Sequence, residues 1–119
     1  LRARGLKVGA LGFCIGGSIA FLCCTRLGLP AVSYYGGRTV PFLHERPKAP
    51  LMLHFGENDP LIPPEDVAKH REALGDAAEI HVWPGAGHGF NCDQRADYNE
   101  DVSKQALERT LSFFQKTLR

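Results

Sequence analysis

The sequence segment with the clearest chemical meaning is GFCIGG at positions 12–17. An apolar run at positions 8–11 precedes this segment, and a helix-compatible apolar run follows it. The order of strand, sharp turn and helix is typical of a nucleophile elbow, in which a reactive side chain stands at the turn. Gly12 and Gly16 flank the turn and remove the Cβ atoms that would clash there. The residue at the turn is Cys14, so the pattern predicts a thiol nucleophile.

A thiol is a good nucleophile only as its thiolate, so Cys14 needs a group that takes up its proton. His88 is the best candidate for that base, because a glycine on each side places it in a flexible loop. Asp59 is the best candidate for orienting the histidine, because it closely follows a predicted strand; Glu57 and Asp93 compete with it for this role.

Strands and helices alternate along the chain and must position these groups. The pattern predicts strands at 7–13, 31–35, 51–55 and 79–83, and helices at 15–27, 65–74 and 99–116. Alternation of this kind indicates a parallel sheet covered by helices, and the ligands of such sheets bind beyond the carboxyl ends of the strands. Cys14, Asp59 and His88 each follow the end of a different predicted strand. We therefore expect them to gather at one edge of the sheet.

The order of nucleophile, acid and histidine along the chain is that of the α/β-hydrolase fold. We therefore predict an α/β fold in which residues 1–119 form one partial α/β-hydrolase domain, with about four parallel strands flanked by helices. Several strands normally precede an elbow, and here they are expected to be missing. The chain is then a fragment, an unusually short fold, or a fold that another chain completes.

Four motifs are similar to those of the dienelactone hydrolase (carboxymethylenebutenolidase) family. They are GFCIGG at 12–17, YYGG at 34–37, GEND at 56–59 and HGF at 88–90. They span most of the chain, which resembles the C-terminal half of a family member. The resemblance implies a triad of Cys14, His88 and Asp59 that hydrolyses small lactones or enol esters through an acyl-enzyme, without a cofactor.

The resemblance also implies the groups around the triad. The backbone N–H of Ile15 is the oxyanion donor that this half of the family's domain retains. The best-known members carry a substrate-binding arginine four residues after the histidine, where this chain has Cys92, with Arg95 three residues further on. The candidate substrate-binding residues are Tyr35, Phe90, Cys92 and Arg95.

Composition and charge disfavour several other classes of protein. The content of 44% apolar and 23% charged residues is ordinary for a globular domain. A formal net charge of +1 gives no reason to expect a nucleic acid or an anionic membrane as partner. No apolar run approaches the roughly 20 residues that a membrane-spanning helix needs, and no signal-peptide pattern is present. We expect a cytoplasmic protein with free thiols rather than disulfides.

Three functions remain open. The first is a thiol hydrolase of small esters or lactones. The second is a catalytically silent, truncated hydrolase that acts as a self-associating module, because strand 7–13 would form an unprotected edge and such edges recruit other chains; this predicts a homodimer or larger assembly. The third, a redox or metal role, is disfavoured because Cys23 and Cys24 are adjacent and match no common metal spacing. The remaining histidines are expected to be structural or solvated: His44, His54, His70 and His81.

Overall fold

A parallel sheet of four strands lies at the centre of the described chain, which in this computed structural model comprises residues 7–92 and 98–118. The strands are β1 (Ala10–Phe13), β2 (Ala31–Tyr34), β3 (Leu51–Gly56) and β4 (Glu79–Trp83), and they lie side by side in that order. The pairings of β1 with β2, of β2 with β3 and of β3 with β4 are parallel. The predicted α/β fold with four parallel strands is confirmed.

The described helices are α1 (Ile15–Leu27), α2 (Pro64–Leu74) and α3 (Glu100–Thr117), and short 3₁₀ turns lie at Val40–Phe42 and Gly75–Ala77. α1 ends at Gly28, whose φ of 68° is the left-handed conformation that terminates many helices. Pro64 occupies the first position of α2, where its missing N–H costs nothing. The side chain of Asn99 accepts a hydrogen bond from the Val102 amide and so caps α3.

The helices lie on both faces of the sheet. Successive residues of a strand point to opposite faces, so Ser33 and Tyr34 mark the two sides of β2. A Cβ atom on Gly17 of α1 would stand 2.7 Å from the Ser33 hydroxyl oxygen, which places α1 on the Ser33 face. The Tyr34 hydroxyl bonds to Thr110 of α3 at 2.9 Å, which places α3 on the other face. The result is a three-layer arrangement around the sheet.

The two inner strands are buried along their whole length, as expected where helices cover both faces of a parallel sheet. Phe55 of β3 packs edge-on against the ring of His70 in α2, with ring centroids 4.9 Å apart. Since Phe55 shares its face with Leu53, the register partner of Ser33, α2 lies in the same layer as α1. The core therefore has apolar side chains on both faces of β2 and β3.

Strand β1 is an edge strand in the described part of the chain, because it pairs with β2 alone there. The neighbouring apolar side chains are largely exposed, from 41% for Phe13 to 58% for Ile15. We call this region the open edge and define it as β1 together with the exposed residues Leu11, Phe13, Ile15, Ile19, Leu107 and Leu111.

Leu107 and Leu111 belong to the open edge because α3 passes beside β1. A Cβ atom on Gly9 would stand 2.7 Å from the ring of Phe114, so the end of α3 passes close to the chain that enters β1. Leu107 and Leu111 precede Phe114 by seven and three residues and share its side of the helix. They therefore extend along β1 from that contact.

Among the helices described, none has the length and apolar character needed to cross a membrane.

Candidate active site

Cys14 occupies the turn between β1 and α1, with φ of 59° and ψ of −124°. A positive φ is unfavourable for any residue other than glycine and costs of the order of 1–3 kcal/mol, so the surrounding structure must hold it in place. The turn is tight because a Cβ atom on Gly12 would stand 1.9 Å from the carbonyl oxygen of Gly16. The required glycine before the turn is therefore Gly12, as the sequence predicts.

The sequence-based reason for Gly16 is wrong. A Cβ atom at that position would meet nothing within 4 Å. The second glycine that the packing requires is Gly17, where a Cβ atom would stand 2.7 Å from the Ser33 hydroxyl and 2.8 Å from the Tyr34 carbonyl oxygen. Its small size lets α1 pack closely against β2.

The structure brings Cys14, His88 and Asp59 into one hydrogen-bonded row. The Cys14 Sγ atom lies 3.1 Å from Nε2 of His88, and Nδ1 of His88 lies 2.6 Å from Oδ2 of Asp59. The second carboxylate oxygen of Asp59 accepts a hydrogen bond from the Leu61 amide at 2.8 Å. Since the carboxylate accepts at Nδ1, that nitrogen carries hydrogen, and Nε2 is left to exchange a proton with the thiol.

Local geometry at the strand ends supports this row. Asp59 follows β3 in a turn in which its amide donates to the Gly56 carbonyl at 3.3 Å. A Cβ atom on Gly56 would stand 2.5 Å from the carbonyl oxygen of Ala86, so glycine is required where the two loops meet. The Asn58 amide donates to the same Ala86 carbonyl at 2.9 Å. The loops after β3 and β4 are thereby joined, which holds Asp59 and His88 together.

Burial differs along the row. Asp59 and His88 are only 3% and 4% exposed, whereas Cys14 is exposed to solvent. A cavity of about 440 Å³ opens beside the thiol and is lined by Cys14, Ile15, Gly37, Arg38, Leu61 and His88. The Ile15 amide is at the first position of α1, where a helix offers no carbonyl partner within itself. A small molecule in this cavity can contact Cys14, Ile15 and His88.

Tyr35 and Cys92, two of the other predicted site residues, line a second cavity of about 470 Å³ together with Phe13, Asn91 and Tyr98. Tyr35 is 3% exposed, and burial above all raises the pKa of its hydroxyl to about 12. Phe90 is fully buried, and its ring packs edge-on against that of Tyr35 at 5.1 Å. Arg95 lies outside the described residues.

Sequence reasoning missed three residues that line the first cavity: Gly37, Arg38 and Leu61. A signal was available, since Gly37 and Arg38 closely follow β2 at the carboxyl edge of the sheet, and Leu61 stands two residues after Asp59. It also missed a polar network below α3. Thr110 bonds to both Tyr34 and His54, and Trp83 donates to Nδ1 of His54 at 3.0 Å.

Three of the other histidines have structural positions. Burial, together with the nearby His81, lowers the pKa of His54 to about 3. Burial also lowers the pKa of His70, whose Nδ1 bonds to the carbonyl of Asp66. His81 stacks on His54 with ring centroids 5.5 Å apart. Among residues 7–92 and 98–118, no group of three potential metal ligands converges, and the four cysteines are free.

A parallel sheet with a thiol on a strained strand-to-helix turn, a histidine after the last strand and a carboxylate between them in sequence defines an α/β-hydrolase fold. The sequence model of the dienelactone hydrolase family matches residues 2–118. The chain belongs to the dienelactone hydrolase family.

Individual relatives agree with this assignment. A carboxymethylenebutenolidase of Pseudomonas putida is 32% identical over 112 residues, which cover 90% of this chain and 48% of the relative. A crystal structure from Klebsiella pneumoniae, named a putative dienelactone hydrolase, has a TM-score of 0.80 and 35% identity, covering 88% of this chain and 50% of that one.

A metagenomic dienelactone hydrolase-like promiscuous phosphotriesterase shares the fold, with a TM-score of 0.79 and 19% identity over 97% of this chain and 54% of that one. The chain spans about half the length of the curated relatives it matches.

Proposed function

We propose that this protein is a hydrolase of small esters or lactones, with Cys14 as nucleophile, His88 as general base and Asp59 as the group that orients the histidine. The observation that carries the proposal is the continuous row from sulfur to imidazole to carboxylate, with contacts of 3.1 Å and 2.6 Å. The named carboxymethylenebutenolidase and dienelactone hydrolase relatives support this substrate class.

The proposed reaction has two halves. His88 takes the thiol proton, and the sulfur of Cys14 attacks the carbonyl carbon of the ester. The resulting oxyanion accepts a hydrogen bond from the Ile15 amide. Collapse of this intermediate breaks the bond to the leaving oxygen, which receives the proton from His88, and leaves a thioester. His88 then deprotonates a water molecule, whose attack on the thioester releases the carboxylic acid and returns the proton to sulfur.

The role of Asp59 in this scheme is electrostatic and geometric. Its carboxylate keeps hydrogen on Nδ1 of His88, so that Nε2 faces the thiol. It also stabilises the imidazolium that forms when the thiol proton is taken up. We assign substrate contacts to Tyr35 and Cys92, which line the neighbouring cavity. Phe90 packs against the ring of Tyr35, and Arg95 is assigned from the sequence alone.

The test is hydrolysis of a chromogenic short-chain ester by the wild-type chain and by Cys14→Ala and His88→Ala. Each change should remove at least about 99% of the rate, because general base and nucleophilic catalysis contribute about 10²-fold or more. Cys23→Ala is the matched control, since it removes a thiol that lies outside both cavities. Activity that survived both site substitutions would refute the assigned roles.

A second candidate, that the chain acts as a self-associating module, is favoured by the open edge. An edge strand with exposed apolar neighbours is a surface on which a second chain can add. We propose a homodimer or larger assembly through this edge.

Free thiols are stable in a reducing compartment, and we propose the cytoplasm as the location of the protein.

A further inference from the structure

Tyr35 adopts a backbone conformation that its residue type disfavours. Apart from Cys14, it is the one non-glycine residue of the described chain with a positive φ, at 40°. Such a conformation in a bulky residue is a clear outlier that survives only where the surroundings fix it. A glycine at position 35 would adopt this conformation at no cost. The side chain of Tyr35 must therefore contribute something that a glycine cannot.

The contacts of Tyr35 converge on the loop that follows β4. Its ring lies 5.1 Å from the His88 ring and 5.1 Å from the Phe90 ring, centroid to centroid. The backbone of Asn91 hydrogen-bonds to its hydroxyl. Its own amide donates to the His54 carbonyl at 2.7 Å, which fixes Tyr35 to the end of β3. One buried side chain thus contacts residues 88, 90 and 91 from a rigid position on the sheet.

The loop that carries His88 needs such a support. Glycines at positions 85, 87 and 89 give its backbone unusual freedom, and Gly85 and Gly89 have positive φ angles. The Asn58 amide bonds to the Ala86 carbonyl and the Asn99 amide to the Phe90 carbonyl, so the backbone is held on either side of His88, but neither bond fixes the orientation of the imidazole. Asp59 holds one nitrogen of the imidazole, but a single hydrogen bond leaves the ring free to tilt about it. Contact with a flat aromatic ring removes that freedom.

We propose that Tyr35 is a positioning residue, whose ring and hydroxyl hold the His88 loop so that Nε2 stays within bonding distance of the Cys14 sulfur. This role rests on the proposed function, because it acts through the Cys14–His88 pair. It differs from a substrate contact, since it operates in the absence of any substrate. It also gives a reason for the strained backbone, because the contacts with residues 88, 90 and 91 are made from this conformation.

The experiment measures alkylation of Cys14 by iodoacetamide as a function of pH, with the modified peptide identified by mass spectrometry. Tyr35→Leu removes the ring contact and the hydroxyl, and Tyr35→Phe removes the hydroxyl alone. Tyr34→Phe is the matched control, because the Tyr34 hydroxyl bonds to Thr110 and its ring has no contact with His88 among the described ring pairs. His88→Ala provides the rate of a thiol without its base.

At about pH 7 we expect Tyr35→Leu to alkylate about tenfold more slowly than wild type and to approach His88→Ala, because His88 no longer lies where it can take the thiol proton. Tyr35→Phe should slow the reaction about two- to fivefold. At about pH 10 all variants should react at similar rates, because hydroxide can then take the thiol proton in place of His88. A uniform loss of rate at every pH would instead indicate structural damage and would overturn the positioning role.

The outcomes separate the two proposals. If His88→Ala slows alkylation and neither Tyr35 variant does, the positioning role is overturned while the proposed function stands. If His88→Ala itself has no effect, the proposed function fails, and the role of Tyr35 fails with it. If Tyr35→Leu does not fold, as judged by circular dichroism, the result for Tyr35→Phe decides: a wild-type profile would overturn the role.

Discussion

The surroundings of His54 make the stability of the protein depend on pH. This histidine is fully buried, accepts a hydrogen bond from Trp83 at Nδ1 and contacts Thr110 through Nε2 at 3.1 Å. The Trp83 donor fixes the neutral tautomer, in which Nε2–H donates to the threonine. Protonation would place a charge in the core and close to His81, which is why the pKa of His54 is lowered to about 3. It would also break the hydrogen bond from Trp83.

The sign of the resulting pH dependence follows from that lowered pKa. An unfolded histidine has its ordinary pKa near 6.5, so below that pH the unfolded chain binds a proton that the folded chain does not. Stability due to His54 is thus complete above about pH 6.5 and decreases as the pH falls toward about 3, by at most about 1.4 kcal/mol per pH unit.

We therefore predict that the free energy of unfolding falls as the pH is lowered from about 6.5 to about 4, and that His54→Gln makes this fall shallower. The measurement is urea unfolding followed by circular dichroism across this pH range. His44→Gln, at an exposed position, is the control that should leave the slope unchanged. An equal slope in wild type and His54→Gln would contradict the account.

At the scale of the elements, the turn between β1 and α1 illustrates what the sequence predicts and what it does not. The motif at 12–17 predicted the strand, the turn and the helix. It did not distinguish the two glycines, because the carbonyl that approaches Gly12 comes from the following helix. That approach distance depends on how tightly α1 closes on β1, which no local pattern reports.

We predict that Gly12→Ala and Gly16→Ala differ sharply. The alanine Cβ at position 12 would overlap the Gly16 carbonyl oxygen, so the turn must open, with a loss of more than about 2 kcal/mol. At position 16, inside α1, alanine meets open space and should be neutral or stabilising by up to about 1 kcal/mol. Thermal unfolding of the two variants measures the difference. Similar losses in both would show that this account of the turn is wrong.

The sequence also did not show which face of α1 is buried. Ile15, Ile19, Leu22 and Cys23 recur with a helical spacing that is typical of a core-facing stripe. In the structure Ile15 and Ile19 are more than half exposed. The helix packs instead through a face that includes Gly17, Ala20 and Phe21. The two apolar sides of this helix resemble each other in sequence, and only the position of β2 shows which one is covered.

At the scale of the whole molecule, the sequence predicted the order of the elements and the edge on which Cys14, Asp59 and His88 converge. It did not predict the register of the sheet. Tyr34 and His54 are register partners on β2 and β3, and Thr110 reaches both from α3. Such a network joins residues that are far apart in the chain, so its members have no recognisable spacing.

The open edge leads to the prediction at this scale. Six large apolar side chains around β1 are 41–58% exposed, and apolar surface of this kind is favourably buried by a second chain. We predict that light scattering gives a mass of at least two chains. Leu11→Lys and Leu111→Lys should lower that mass, because a buried lysine opposes edge pairing. Ala68→Lys on α2 is the control. A monodisperse wild-type monomer would contradict the proposal.

The polar network under α3 has one more consequence. Trp83 is the single tryptophan of the chain, and its indole nitrogen is bonded to His54. Through Thr110 that histidine connects to α3, and through the sheet it connects to β2 and β4. The intrinsic fluorescence of the protein therefore originates where β3, β4 and α3 meet. Undocking of α3 alone should alter the emission, which gives an optical signal for the packing of that helix without any added label.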